Sequence, residues 1–122
     1  MEGEQEVNYS PDIFYDINRL SLKRKEALFR EAKKKAIRWW VDILDCTKSC
    51  CRQTIKMPFE EAMKKLPGAH CVFIHRRGYE NWEWRLEVGY RAMTGLDYFL
   101  WINVDQKEIE GLVKKYKLKV LS

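Results

Sequence analysis

Between residues 82 and 91 the chain alternates. Trp82, Trp84, Leu86, Val88 and Tyr90 take every second position, and Glu83, Arg85, Glu87 and Arg91 fall between them. A period of two is that of a half-buried β-strand, with one face in the core and one in water, the usual state of an antiparallel sheet. The segments on either side, HCVFIHR (70–76) and LDYFLWINV (96–104), are rich in aromatic and β-branched residues. Turns near Gly78 and Gly95 separate them from the alternating strand, so the pattern predicts a three-stranded meander. The third strand is apolar on both faces, which puts it in a central position or beneath helices.

Elsewhere the period lengthens. SLKRKEALFREAKKKAIRWWVDILDCTK (21–48) contains no Gly or Pro, and Ser21 can cap its start. On a helical wheel Leu28, Ala32, Ala36, Trp39 and Ile43 fall within an arc of roughly 80°, which predicts one long amphipathic helix. SPDIFYDINRL (10–20) reads as a shorter helix, with Ser10 as cap, Pro11 in the first turn and Ile13 and Ile17 four apart. Pro58 opens another short helix, PFEEAMKKL, which Pro67 and Gly68 end. Asp105 with Glu108 has the form of a capping box before a helix whose apolar side is Ile109, Leu112, Val113 and Tyr116. KLKVL (117–121) adds a last strand. The expected fold is α+β: N-terminal helices, one long and amphipathic, packed on a small antiparallel meander of three to four strands, with a helix after the third strand. Residues 1–9 are expected to be a flexible acidic leader, and 10–122 a single domain. The helix–three strands–helix order is similar to that of double-stranded-RNA-binding domains, in topology alone.

Charge changes the picture of the helices. The chain carries +5 overall, yet residues 1–20 carry −4, which leaves +9 for the remainder. On the long helix Arg30, Lys34 and Arg38 form one stripe, with Lys23 and Lys33 beside it. Such a stripe suits a phosphate backbone, as does a hairpin tip bearing Arg76 and Arg77. The acidic residues 2–16 would then fold over part of that stripe and compete with an anionic partner.

The chemistry of single residues is sparse. Cys46, Cys50 and Cys51 lie within six residues, but no second pair of soft ligands stands at chelating spacing. His70 and Cys71 would point to opposite faces of a strand, and Cys71 and His75 would lie roughly 13 Å apart on one face. If the long helix runs through Cys50, then Cys46 and Cys50 extend its core arc, and Cys51 turns outward as the reactive thiol. No metal and no cofactor is expected. The chain lacks the nucleophile, zinc-protease, P-loop and dinucleotide fingerprints, so binding is favoured over catalysis. An enzyme would have to use Cys51 or Cys71 with His70 or His75.

The leading expectation is a protein-interaction module that presents the wet sheet face (Glu83, Arg85, Glu87, Arg91) or the basic helix back. The alternative is a nucleic-acid-binding protein using Lys23, Arg30, Lys33, Lys34 and Arg38 with Arg76 and Arg77. An apolar sheet face left uncovered would permit a homodimer. The acidic start and the short apolar runs point to a cytoplasmic protein without a membrane span.

Overall fold

The computed structural model describes residues 13–45, 47–48, 51–75, 84–91 and 96–121. In chain order the elements are β1 (Ile13–Asp16), α1 (Leu22–Lys34), β2 (Arg38–Asp45), β3 (Cys51–Ile55), α2 (Phe59–Lys64), a 3-10 turn (Leu66–Gly68), β4 (Ala69–His75), β5 (Trp84–Arg91), β6 (Leu96–Val104), α3 (Gln106–Lys115) and β7 (Lys119–Val120). The described strands form one seven-stranded sheet in the order β3-β2-β6-β5-β4-β1-β7. Every neighbouring pair is antiparallel.

This overturns the expectation of N-terminal helices on a three- to four-stranded meander. The three strands read from the alternation are present as β4, β5 and β6, but they are three of seven. The long helix stops at Lys34, and the chain returns as β2 four residues later. The turn of chain is small: Lys35 N–H donates to the carbonyls of Glu31 and Ala32, and Ile37 N–H then donates to the Asn103 carbonyl at 2.8 Å, which starts the pairing with β6. Residues 37–44 are dense in aromatic and β-branched side chains, which lose rotamer freedom on a helix and pack well on a pleat. The segment read as a short N-terminal helix is β1, seated between β4 and β7. Residues 13–16 are therefore part of the sheet and do not lie over α1; the rest of the acidic leader is outside the described residues.

Strand alternation sorts each strand into a helix side and a helix-free side. On the helix side Val41, Cys71, Phe73, Leu86, Val88, Leu100, Ile102 and Val104 are buried. They meet Leu28, Phe29 and Ala32 of α1, Phe59, Ala62 and Met63 of α2, Ile109 and Leu112 of α3, and Tyr116 at its C-terminal end in one cluster. Trp39 meets Phe59 edge-on with ring centroids 5.3 Å apart, which fixes α2 to β2. α1 and α3 begin and end for local reasons. Ser21 Oγ accepts from Arg24 N–H, and Asp105 Oδ1 accepts from Glu108 N–H at 3.1 Å, so α1 and α3 both have side-chain N-caps. After α3, Leu118 N–H donates to the Val113 carbonyl and Lys117 N–H to the Lys114 carbonyl. Lys117 sits at φ 53° to close this C-terminal turn, a conformation that favours glycine.

α1 and α3 are joined by charge. Glu31 accepts from Lys115 Nζ at 2.8 Å and from the Tyr116 hydroxyl at 3.1 Å, and Lys35 reaches both Glu31 and Glu108. The bond from Lys115, helped by that from Tyr116, outweighs desolvation and holds the Glu31 carboxyl below its ordinary value.

Two outcomes test this arrangement. Lys117→Gly should raise stability by about 1 kcal/mol, the cost of a left-handed side-chain-bearing residue, and so raise the melting temperature by a few degrees. Glu31 has a lowered folded-state pKa, so its contribution is full above the unfolded value and is lost as pH falls through the folded one. Glu31→Gln should therefore destabilise at pH 7, with the difference from the wild type shrinking on acidification toward pH 3; urea denaturation at both pH values measures it.

Candidate functional site

The helix-free side of the sheet carries residues of a different kind. Register aligns them in rows across β2, β6 and β5. Arg38, Asn103 and Arg85 form one row, Trp40, Trp101 and Glu87 the next, and Asp42, Phe99 and Gly89 the third. From β3, Thr54 stands opposite Asp42, and Arg52 opposite Leu44. No described helix packs on this side, yet its centre is a cluster of three aromatic rings.

The rings are ordered. Trp40 and Trp101 lie nearly parallel, 15° apart with centroids at 6.1 Å, and Phe99 follows Trp101 at 6.4 Å. Arginines lie across them. The Arg85 guanidinium is 4.9 Å from the Trp101 ring and 5.9 Å from Trp40. Arg52 is 4.8 Å from Phe99 and 5.7 Å from Trp101, and Arg38 is 5.3 Å from Trp40. This layer explains why Trp101 is only 4% exposed on a side without helices. Among the described residues neither Arg52 nor Arg85 is in an ion pair, so both charges are held by π faces rather than by carboxylates.

Two local features set the rings. Asp42 is buried and accepts from Thr54 Oγ1 at 2.7 Å and from Trp40 Nε1 at 3.3 Å, which ties the Trp40 indole to the β2–β3 hairpin. Gly89 makes room for Phe99: a Cβ there would stand 2.9 Å from the ring. The polar atoms beneath the arginines are a third feature. Trp101 Nε1 and both Asn103 side-chain atoms, Nδ2 and Oδ1, are buried without a hydrogen-bond partner among the described residues, and Asn103 is 1% exposed. Each such orphan costs about 1–3 kcal/mol. At the open end of the hairpin a groove of about 490 Å³ runs beside Trp40, lined also by Trp39, Thr54, Ile55, Met57 and Pro58. A smaller hollow of about 280 Å³ lies between Arg38, Trp40 and Thr54.

The basic stripe expected on the long helix does not exist as a stripe. Lys23, Arg30, Lys33 and Lys34 are exposed on α1, but Arg38 is on β2, on the opposite side of the sheet. Arg30 is ion-paired with Glu60 of α2, and Lys33 lies over the Phe59 ring. Arg85 and Glu87 do share the helix-free side, and Arg91 aligns with Asp97. Arg76, Arg77 and Glu83 lie outside the described residues.

The cysteines are likewise redistributed. Cys51 is exposed at the start of β3, opposite Asp45. The helical phase that joined Cys46 and Cys50 to the core arc fails, because the chain is strand from Arg38 to Asp45; those two cysteines lie outside the described residues. Cys71 is buried on the helix side, and burial pushes its thiol up to about 11, away from thiolate chemistry at neutral pH. His70 is exposed on the other side of β4, so the strand separates this Cys–His pair. The side chain of His75 lies outside the described set. Among the described residues no group of three metal-ligating side chains converges, and no helix is long and apolar enough to cross a membrane.

None of Trp40, Asp42, Arg52, Phe99, Trp101 and Asn103 was read from the sequence as a site residue. Their signal was present in two places: the alternation of Trp39, Val41 and Ile43 against Arg38, Trp40 and Asp42, and the third strand's apolar residues on both faces. Comparison with family models, curated proteins and solved structures finds no match.

The ring cluster makes a measurable claim. Gly89→Ala should displace Phe99 and lower stability by about 1–2 kcal/mol through overpacking. In a Phe99→Ala background the same change should cost nothing, because its steric cause is gone; a double-mutant cycle from denaturant melts reads the difference.

Proposed function

We propose that this protein is a binding domain for single-stranded nucleic acid, and that its working surface is the helix-free side of the sheet. The observation that carries the reading is the set of arginines, Arg38, Arg52 and Arg85, laid over the Trp40–Trp101–Phe99 cluster. Aromatic rings supply stacking platforms for unpaired bases, and guanidiniums supply both phosphate neutralisation and planes on which bases stack. The Arg52 and Arg85 charges, held by π faces and without carboxylate partners among the described residues, can turn to phosphate at little electrostatic cost. The span supports it as well: β3 to β5 covers three strand spacings, about 14 Å, enough for two or three nucleotides. The groove beside Trp40 extends the platform at one end. This uses Arg38 from the nucleic-acid alternative read in the sequence and Arg85 from the sheet-face reading, and replaces the α1 lysines with Arg52.

A protein partner is the second reading, and a different element favours it. β3 is an edge strand, and Cys51, Arg52, Gln53 and Thr54 are all exposed. An edge of that kind accepts an added strand from a peptide.

Fluorescence anisotropy with labelled eight-nucleotide DNA and RNA strands tests the first reading. Binding should be measurable at low salt and fall steeply as salt rises. Arg52→Glu/Arg85→Glu should weaken it more than tenfold and reduce the slope of log K against log salt by about 1.4, for two lost phosphate contacts. Equal binding by the double variant, or no binding by the wild type at low salt, overturns the reading.

A further inference from the structure

The nucleic-acid platform has a specific position within it. Asn103 stands in the row between Arg38 and Arg85, and Trp101 is two residues before it on the same side of β6. Their buried polar atoms, the Trp101 indole N–H and both halves of the Asn103 amide, have no partner among the described residues. The Asn103 amide thus offers a donor and an acceptor side by side, and the indole offers a second donor.

We infer that Asn103 and Trp101 form a base-reading subsite that accepts adenine and rejects cytosine, an inference that rests on the single-strand reading above. The adenine edge carries one donor, the N6 amino group, between two acceptors, N1 and N7. An asparagine amide pairs with an amino group and a neighbouring acceptor in two parallel hydrogen bonds. The indole N–H then meets the acceptor that remains. Cytosine has an acceptor on one side of its amino group and a C–H on the other, so it leaves one of these donors unpaired; thymine and uracil set N3–H between two carbonyl acceptors and match as adenine does, so the discrimination is against cytosine. Arg85 covers the subsite in the free protein through its contacts with Trp40 and Trp101. No ion pair among the described residues holds it there, so it can swing to a phosphate of the incoming strand and open the way to Asn103. A peptide amide would match the same donor and acceptor, but it would leave the ring cluster and the guanidiniums without a use.

The test compares labelled dA8 and dC8 on the wild type, Asn103→Leu and Asn103→Asp, with thermal melts of all three. The wild type should favour dA8 by about tenfold or more, as expected for a bidentate base contact. Asn103→Leu should bind both strands equally while melting at or above the wild-type temperature, since it removes an amide that has no partner in the folded chain. Asn103→Asp keeps the shape and loses the donor, so it should lose the preference too. Equal wild-type binding of dA8 and dC8, a preference that survives in both variants, or an Asn103→Leu protein that melts several degrees lower or fails to fold, each overturns the subsite while leaving the single-strand reading standing. Failure of the wild type to bind either strand at low salt instead overturns the single-strand reading itself.

Discussion

β6 pairs with β2 from Leu96 to Asn103 and with β5 from Asp97 to Val104, so both its edges are occupied along nearly its whole length. This double pairing is the constraint on which the rest depends. Because side chains alternate, one register sends Leu100, Ile102 and Val104 into the helix-side core and Phe99, Trp101 and Asn103 to the other side. A slip of one residue would bury Asn103 among Ile109 and Leu112 and lift Ile102 away from the helices. The core therefore fixes the position of the ring cluster. No separate device is needed to align Trp40 with Trp101; the burial of Val41 opposite Leu100 does it.

The same constraint explains which parts of the fold were legible in the sequence. β5 could be read because its two faces differ in polarity: Leu86 and Val88 point to the helices, and Arg85 and Glu87 do not. α3 could be read because Asp105 and the Ile109–Leu112–Tyr116 spacing act locally. β1 and β2 were misread for one shared reason. Residues four apart lie on the same face of a helix and on the same face of a strand, so Ile13 with Ile17, and Trp39 with Ile43, satisfy both periods. The residue that separates the cases is the one midway. Tyr15 and Val41 are both buried, which a strand requires and a helix with those neighbours buried forbids. With β2 taken as helix, β3 lost its partner and the sheet shrank from seven strands to a meander.

The site was less legible than the fold because its residues resemble core. Trp40, Phe99 and Trp101 are apolar, and a strand that is apolar on both faces is ordinarily explained by burial under a second layer. Here the second layer is made of the arginines themselves. Arg52 and Arg85 cover the rings with guanidinium planes and aliphatic stems, so one side chain both shields apolar surface and presents charge. The basic stripe expected on the long helix loses Arg38 to β2, and two of its members have partners. Arg30 looked free in the sequence, but α2 packs beside it and supplies Glu60 as an ion-pair partner, while Lys33 lies over Phe59 as the sheet arginines lie over their rings.

Placing unpartnered polar atoms at the centre of a rigid register is a cost that the fold does not need. Leu or Val at position 103 would continue the apolar pattern of β6 and remove two of the three orphaned atoms. That it carries Asn, between two arginines and beside an indole N–H that is also without a partner, separates this row from the rest of the sheet. Asp42, on the same side, is a buried polar group that is satisfied: it accepts from both Thr54 and Trp40. The two rows differ in what completes them. Asp42 is completed by its own chain and orients a ring, whereas the Trp101–Asn103 pair has no partner among the described residues, and the proposed subsite is the partner that would complete it.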